Sequence, residues 1–96
     1  MESTYETTAR ILRSENKSDI YNFIYITKGE IAETIAEFLR DCSTTFVSDI
    51  AKKVLEGKYI TEKQSWCMVF ESIKINHMVE SWIEKQIESM NNYQNK

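Results

Sequence analysis

All-α, as one small domain of four to six packed helices, is the fold class this chain predicts, and three observations predict it. Proline is absent and glycine occurs only at Gly29 and Gly57, too few turn formers for an all-β chain. Apolar residues recur at helical spacing in one segment after another. Short polar runs that read as helix caps separate those segments. Ninety-six residues with 42% hydrophobic and 28% charged side chains suit a single core closed without disulfides or metal. We place that domain over residues 1–91, with 92–96 as a fraying polar tail.

The first helix is expected over residues 3–14, capped by Ser3 or Thr4, with Tyr5, Ala9 and Leu12 on one face. The polar run Ser14 to Ser18 ends it. Residues 19–26, DIYNFIYI, suit a strand by their β-branched and aromatic content. They suit a helix by the spacing of Ile20, Phe23 and Ile24, capped by Ser18 or Asp19, and helix is the reading taken. Thr27-Lys28-Gly29-Glu30 reads as a capping box, opening a helix over 28–42 with Ile31, Ile35, Phe38 and Leu39 as its apolar stripe. Ser43 to Thr45 break and recap the chain. Phe46, Val47, Ile50, Val54 and Leu55 mark a further helix, stopped by Gly57 in the left-handed position that follows many helix ends.

Thr61-Glu62-Lys63-Gln64 reads as a second capping box, with Ile60 ahead of it as a hydrophobic staple. Trp66, Val69, Phe70 and Ile73 then follow on the face expected to complete the core. Unbroken to Asn91, this helix would be about 45 Å long, well beyond the roughly 25 Å span of a compact domain this size. Its apolar phase also jumps, because Ile75, Val79, Trp82, Ile83, Ile87 and Met90 fall near the opposite side. Two outcomes stay open. Asn76 caps a final helix that folds back on the same core, or an extended C-terminal helix uses those six residues as an oligomer interface.

Chemical signatures are sparse. Cys42 and Cys67 form no CxxC and lack a second histidine to complete a metal site, so reduced core thiols are expected and no metal or cofactor. His77 is the sole histidine, and ten positions from Cys67 it would lie about 15 Å away along one helix, too far to act as its base unless the chain folds back at Asn76; a buried or surface histidine is the reading taken. No basic start and apolar run suggest a signal peptide, and no stretch nears the ~20 apolar residues of a membrane span, so a cytoplasmic protein is expected. The net charge of −3 argues against a general nucleic-acid binder.

Two acidic stripes carry the functional expectation. Glu30, Glu33, Glu37 and Asp41 fall on one face beside the Ile31/Ile35/Phe38 stripe, and Glu80, Glu84 and Glu88 repeat at i, i+4 spacing. Such rows are ordinarily solvated outer faces. Because adjacent like charges cost a few tenths of a kcal/mol per pair, their retention also fits a negative surface that meets a basic pocket on a partner. Tyr21, Tyr25 and Tyr59 are candidates for an aromatic contact patch. Lys52, Lys53, Lys58 and Lys63 cluster around a turn between two helices, as in a helix-turn-helix. The helix after Thr61, however, offers Glu62, Ser65 and Glu71 where base-reading side chains would be needed.

The run FVSDIAKKVLEGKYITEKQSWCMVF, residues 46–70, resembles a segment of small bacteriophage and prophage accessory proteins: an amphipathic helix, a Gly-Lys turn, and an Ile-Thr-Glu-Lys-Gln helix start. The resemblance implies a phage-encoded protein acting on a host component, in the manner of small phage proteins that block bacterial defence, anti-CRISPR proteins among them. The expectation is therefore a non-enzymatic inhibitor or adaptor whose acidic helix faces engage a host protein, such as a nucleic-acid-processing defence enzyme. The alternatives are a homo-oligomer binding a small ligand or signalling nucleotide at its seams, and a helix-turn-helix regulator.

Overall fold

Ser3 opens the first helix, its Oγ accepting the Glu6 backbone N–H at 3.2 Å and so satisfying one of the donors a helix start leaves unpaired. In the computed structural model, which describes residues 3–94, this helix, α1, covers Thr4–Ser14 and buries Thr8, Ala9 and Leu12. Glu15 ends it in the left-handed region at φ 56°.

The DIYNFIYI segment is helical. Helix α2, Lys17–Tyr21, takes its cap from Asn16, whose Oδ1 accepts the Asp19 N–H at 3.2 Å; Ser18 and Asp19, the expected caps, lie inside the helix. It widens into a π-helical stretch, Asn22–Thr27, and Ile20 and Ile24 enter the core. This widening removes the expected capping box. Thr27 still belongs to the π stretch, whose closing bond runs from the Lys28 N–H to the Phe23 carbonyl at 3.1 Å. Lys28 and Gly29 then turn the chain with φ of 60° and 94°, and Gly29 is an N-cap without a side-chain bond. Helix α3 accordingly begins at Glu30 and runs to Cys42, burying Ala32, Thr34, Ile35, Ala36, Phe38 and Leu39.

Helix α4, Phe46–Leu55, starts on Thr45, whose Oγ1 accepts the Val47 N–H at 3.2 Å. Its end has the paired bonds of a Schellman motif: Gly57 N–H to the Val54 carbonyl at 3.1 Å and Lys58 N–H to the Lys53 carbonyl at 2.8 Å. Gly57 stands at φ 73° there, where a Cβ would be strained. Helix α5, Glu62–Lys74, opens with the expected capping box. The Thr61 hydroxyl accepts the Gln64 N–H at 3.1 Å and the Gln64 amide oxygen accepts the Thr61 N–H at 2.9 Å.

The buried face of α5 differs from the expected one. Met68 and Val69 reach the core together with Ser65 and Ser72, whereas Trp66 and Ile73 are half-buried and Phe70 is 53% exposed. Both serines donate back into their own helix, to the Thr61 and Val69 carbonyls at 3.1 and 2.8 Å, so neither leaves a buried hydroxyl unpaired. Small side chains let α5 approach its neighbours closely, and the bulky rings are left outside that seam.

The chain breaks where the apolar phase jumps. A single 3₁₀ turn, Asn76–Met78, joins α5 to helix α6, Val79–Gln94, which folds back against α1. Asn76 contributes no side-chain cap; its Nδ2 donates to the Leu12 carbonyl at 3.3 Å and to Glu15 Oε1 at 3.0 Å, tying the bend to the end of α1. Folding back buries Val79, Trp82 and Ile83, at about 1.5–3 kcal/mol for each large apolar side chain. The helical hydrogen bonds interrupted at the bend are worth about 1 kcal/mol apiece, so burial decides the outcome. Helix α6 continues through 92–94, where composition predicts fraying; residues 95 and 96 lie outside the described residues. The described residues form six α-helices and no strand, within 42 × 26 × 24 Å, with α3 packed against α1, α4, α5 and the π stretch. Among the described residues no helix is long and apolar enough to cross a membrane.

Candidate functional site

Spacing of three and four residues along α3 brings the first acidic stripe onto one side, and the packing of α1 turns it into a groove. Thr4, Tyr5, Glu30, Glu33, Thr34 and Glu37 line a shallow hollow of about 220 Å³. Glu30 and Glu33 are exposed and Glu37 is half-buried. The Thr4 hydroxyl donates to Glu30 Oε2 at 3.3 Å across the groove, and the Thr34 hydroxyl turns back to the Glu30 carbonyl at 2.8 Å. Burial pushes the Glu37 carboxyl above the ordinary glutamate range, Asp41 and Glu33 push it further, and Arg40 opposes them. The Tyr5 hydroxyl is raised by burial and by Glu37.

Asp41, the fourth member, is structurally engaged. Its Oδ1 accepts from Arg40 Nε at 3.1 Å and its Oδ2 from the Trp82 indole N–H at 3.0 Å. Beyond it a cleft of about 330 Å³ opens between the end of α3 and α6, with Cys42, His77 and Lys85 on its walls. Sequence spacing gave no sign of this meeting, because only the fold-back of α6 creates it. Burial and Asp41 raise the Cys42 thiol against the pull of Lys85, which keeps it protonated and weakly nucleophilic. Cys67 lies elsewhere, in a hollow with Phe46 and Phe70, so His77 neighbours the other cysteine. Among the described residues no group of three or more His, Cys, Asp or Glu is placed to hold a metal ion.

The second acidic stripe, Glu80, Glu84 and Glu88, is exposed along α6, and Glu80 pairs with Arg13 of α1 at 3.3 Å. Of the six residues set against a possible oligomer seam, Val79, Trp82 and Ile83 are buried within the chain. Ile75 is half-buried, and Ile87 and Met90 remain 39% and 49% exposed. Lys52 and Lys58 of the basic cluster face Asp49 at 3.9 Å and Glu56 at 3.0 Å.

Tyr21 and Tyr25 belong to a strip of rings that crosses from α2 to α5. Tyr21 stacks on Trp66 with centroids 4.5 Å apart and an interplanar angle of 14°. Tyr25 lies 5.5 Å from Tyr21, and its hydroxyl is raised first by the neighbouring Tyr59, while Phe70 lies 5.9 Å from Trp66 with the Lys17 ammonium 5.4 Å from its ring centre. The membership of Trp66 and Phe70 was hidden by their helical phase, which reads equally well as core. Comparison with protein-family models, curated proteins and solved structures finds no match to this chain.

Proposed function

We propose that the chain is a non-catalytic binding protein whose α1/α3 groove covers a basic surface of another protein. The observation that carries the reading is the gathering of Glu30, Glu33 and Glu37 in one groove with no lysine or arginine among the described residues that line it. Burial raises the Glu37 carboxyl, and Asp41 and Glu33 add to it against the pull of Arg40; an incoming guanidinium or ammonium group offsets that cost while making charge-assisted hydrogen bonds. A surface evolved for nucleic-acid phosphates presents such groups in a row. The setting this fits is the one the phage resemblance implies: a phage-encoded inhibitor or adaptor acting stoichiometrically on a host nucleic-acid-processing protein in the bacterial cytoplasm.

The test is capture from a bacterial lysate, identification of the captured protein, and measurement of its affinity for the wild type and for Glu30→Lys/Glu33→Lys. Both positions are exposed, and far-UV circular dichroism checks that the double variant folds. The reading expects an affinity that falls with salt and drops at least about tenfold in the double variant. Equal affinity of the two folded proteins overturns it.

A further inference from the structure

The aromatic strip is separate from the acidic groove, and its role is independent of the partner proposed for that groove. Tyr59, Phe70 and Phe46 are 74%, 53% and 63% exposed, an unusual concentration of large rings on the outside of so small a chain. Their neighbours Tyr21, Tyr25 and Trp66 are packed ring against ring in advance, so docking on them loses little side-chain freedom.

The charges that flank the strip point to its occupant. Glu62, Trp66, Phe70 and Lys74 succeed one another at four-residue spacing on α5 and therefore lie along one ridge inclined to the helix axis. The ridge begins with a carboxylate and ends, about 18 Å further along, with an ammonium group. Lys17, seated over Phe70, adds positive charge to the Lys74 end. A two-fold axis passing between Trp66 and Phe70 sets a second α5 antiparallel to the first. It brings each Glu62 opposite Lys74 of the other copy and packs the rings at the centre, as a self-complementary interface requires. A parallel arrangement opposes like charges at both ends. We propose that this face is the interface of a homodimer built on antiparallel α5 helices, in place of the α6 seam whose Val79, Trp82 and Ile83 are consumed by the core.

Light scattering and sedimentation equilibrium over a wide concentration range test it, with far-UV circular dichroism as the check on folding. The wild type is expected to rise from 11.3 kDa to twice that mass, and Phe70→Ser, at an exposed position, to raise the dissociation constant at least about tenfold. Glu62→Lys and Lys74→Glu each oppose like charges across the two-fold and are expected to stay monomeric alone. Mixed in equal amounts they restore both pairs and form a heterodimer. That recovery separates the interface role from the favourable placement of these charges at the ends of α5, which mixing does not alter. A wild type that remains at 11.3 kDa at every concentration overturns the proposal and leaves the face to a different protein. A folded Phe70→Ser that dimerises like the wild type, or folded charge variants that fail to associate when mixed, overturns it as well.

Discussion

The Trp82 indole N–H donates to the Asp41 carboxylate at 3.0 Å across 41 positions of chain, joining the end of the acidic stripe on α3 to the helix that folds back over it. Trp82 is 4% exposed and packs edge-on against Phe38 and Tyr5, so its N–H has little access to water. Asp41→Leu leaves that donor unpaired and is expected to lower stability by about 1–3 kcal/mol. Asp41→Asn keeps an acceptor oxygen and loses less. Chemical denaturation of the three proteins measures the difference. A substitution at Asp41 therefore reports on the core, which is why binding tests belong at Glu30 and Glu33.

Asn76 holds the bend between α5 and α6 through the Leu12 carbonyl and Glu15. Asn76→Ala removes both bonds and is expected to cost about 1–2 kcal/mol. The first region to loosen is α6, so near-ultraviolet circular dichroism, dominated by Trp82 and Trp66, changes before the helical signal does. Simultaneous loss of both signals at unchanged stability contradicts the assignment.

The two capping sequences make a paired prediction. Thr61→Ala breaks an observed reciprocal cap and is expected to destabilise by about 1 kcal/mol. Thr27→Ala changes an exposed side chain outside any cap and stays within about 0.5 kcal/mol of the wild type. Thermal unfolding monitored at 222 nm compares them.

Glu37 gives a pH dependence with a definite sign. Its carboxyl is raised in the folded protein, chiefly by burial, so the native state binds more proton than the unfolded chain in the interval above the ordinary glutamate range. Stability is therefore lost as pH rises through the folded-state value and recovered below the unfolded one. Glu37→Gln removes the charge, and it relieves two like-charge neighbours at four-residue spacing, Glu33 and Asp41, each worth about 0.2–0.5 kcal/mol. The variant is expected to be the more stable at neutral pH, with the advantage vanishing in acid. Urea unfolding at several pH values checks it, and a pH-independent difference between the two proteins contradicts it.

Most structural features that depended on four consecutive residues were legible beforehand, the Asn16 cap of α2 being an exception. Thr61 and Gln64 bond within a single turn, Gly57 needs only its own backbone to accept a positive φ, and Ser3 and Thr45 cap helices that come directly after them. Thr27 failed as a cap although its local pattern was as good, because the π widening of the preceding segment carried it past the helix start. That widening involves Ile20, Ile24 and their packing on the core, which no four-residue window contains. The acidic groove was half legible: spacing on α3 aligned Glu30, Glu33 and Glu37, but the wall supplied by Thr4 and Tyr5 and the engagement of Asp41 by Trp82 needed α1 and α6 in place.

Composition and periodicity alone determined that this chain is a set of short amphipathic helices, where most of them begin and end, and that something must change near Asn76. Helical hydrogen bonds and caps are local, so their chemistry is written along the chain. Spacing also gave the buried sides of α1, α3 and α4, but those of α5 and α6 were decided only in the assembled molecule. On α5 two serines lie in the core while Trp66 and Phe70 form a surface strip, and on α6 Val79, Trp82 and Ile83 turn inward. The reason is steric. Periodicity reveals that a helix has an apolar side, but the depth to which a side chain sinks depends on the room its neighbours leave, and those neighbours come from distant parts of the chain.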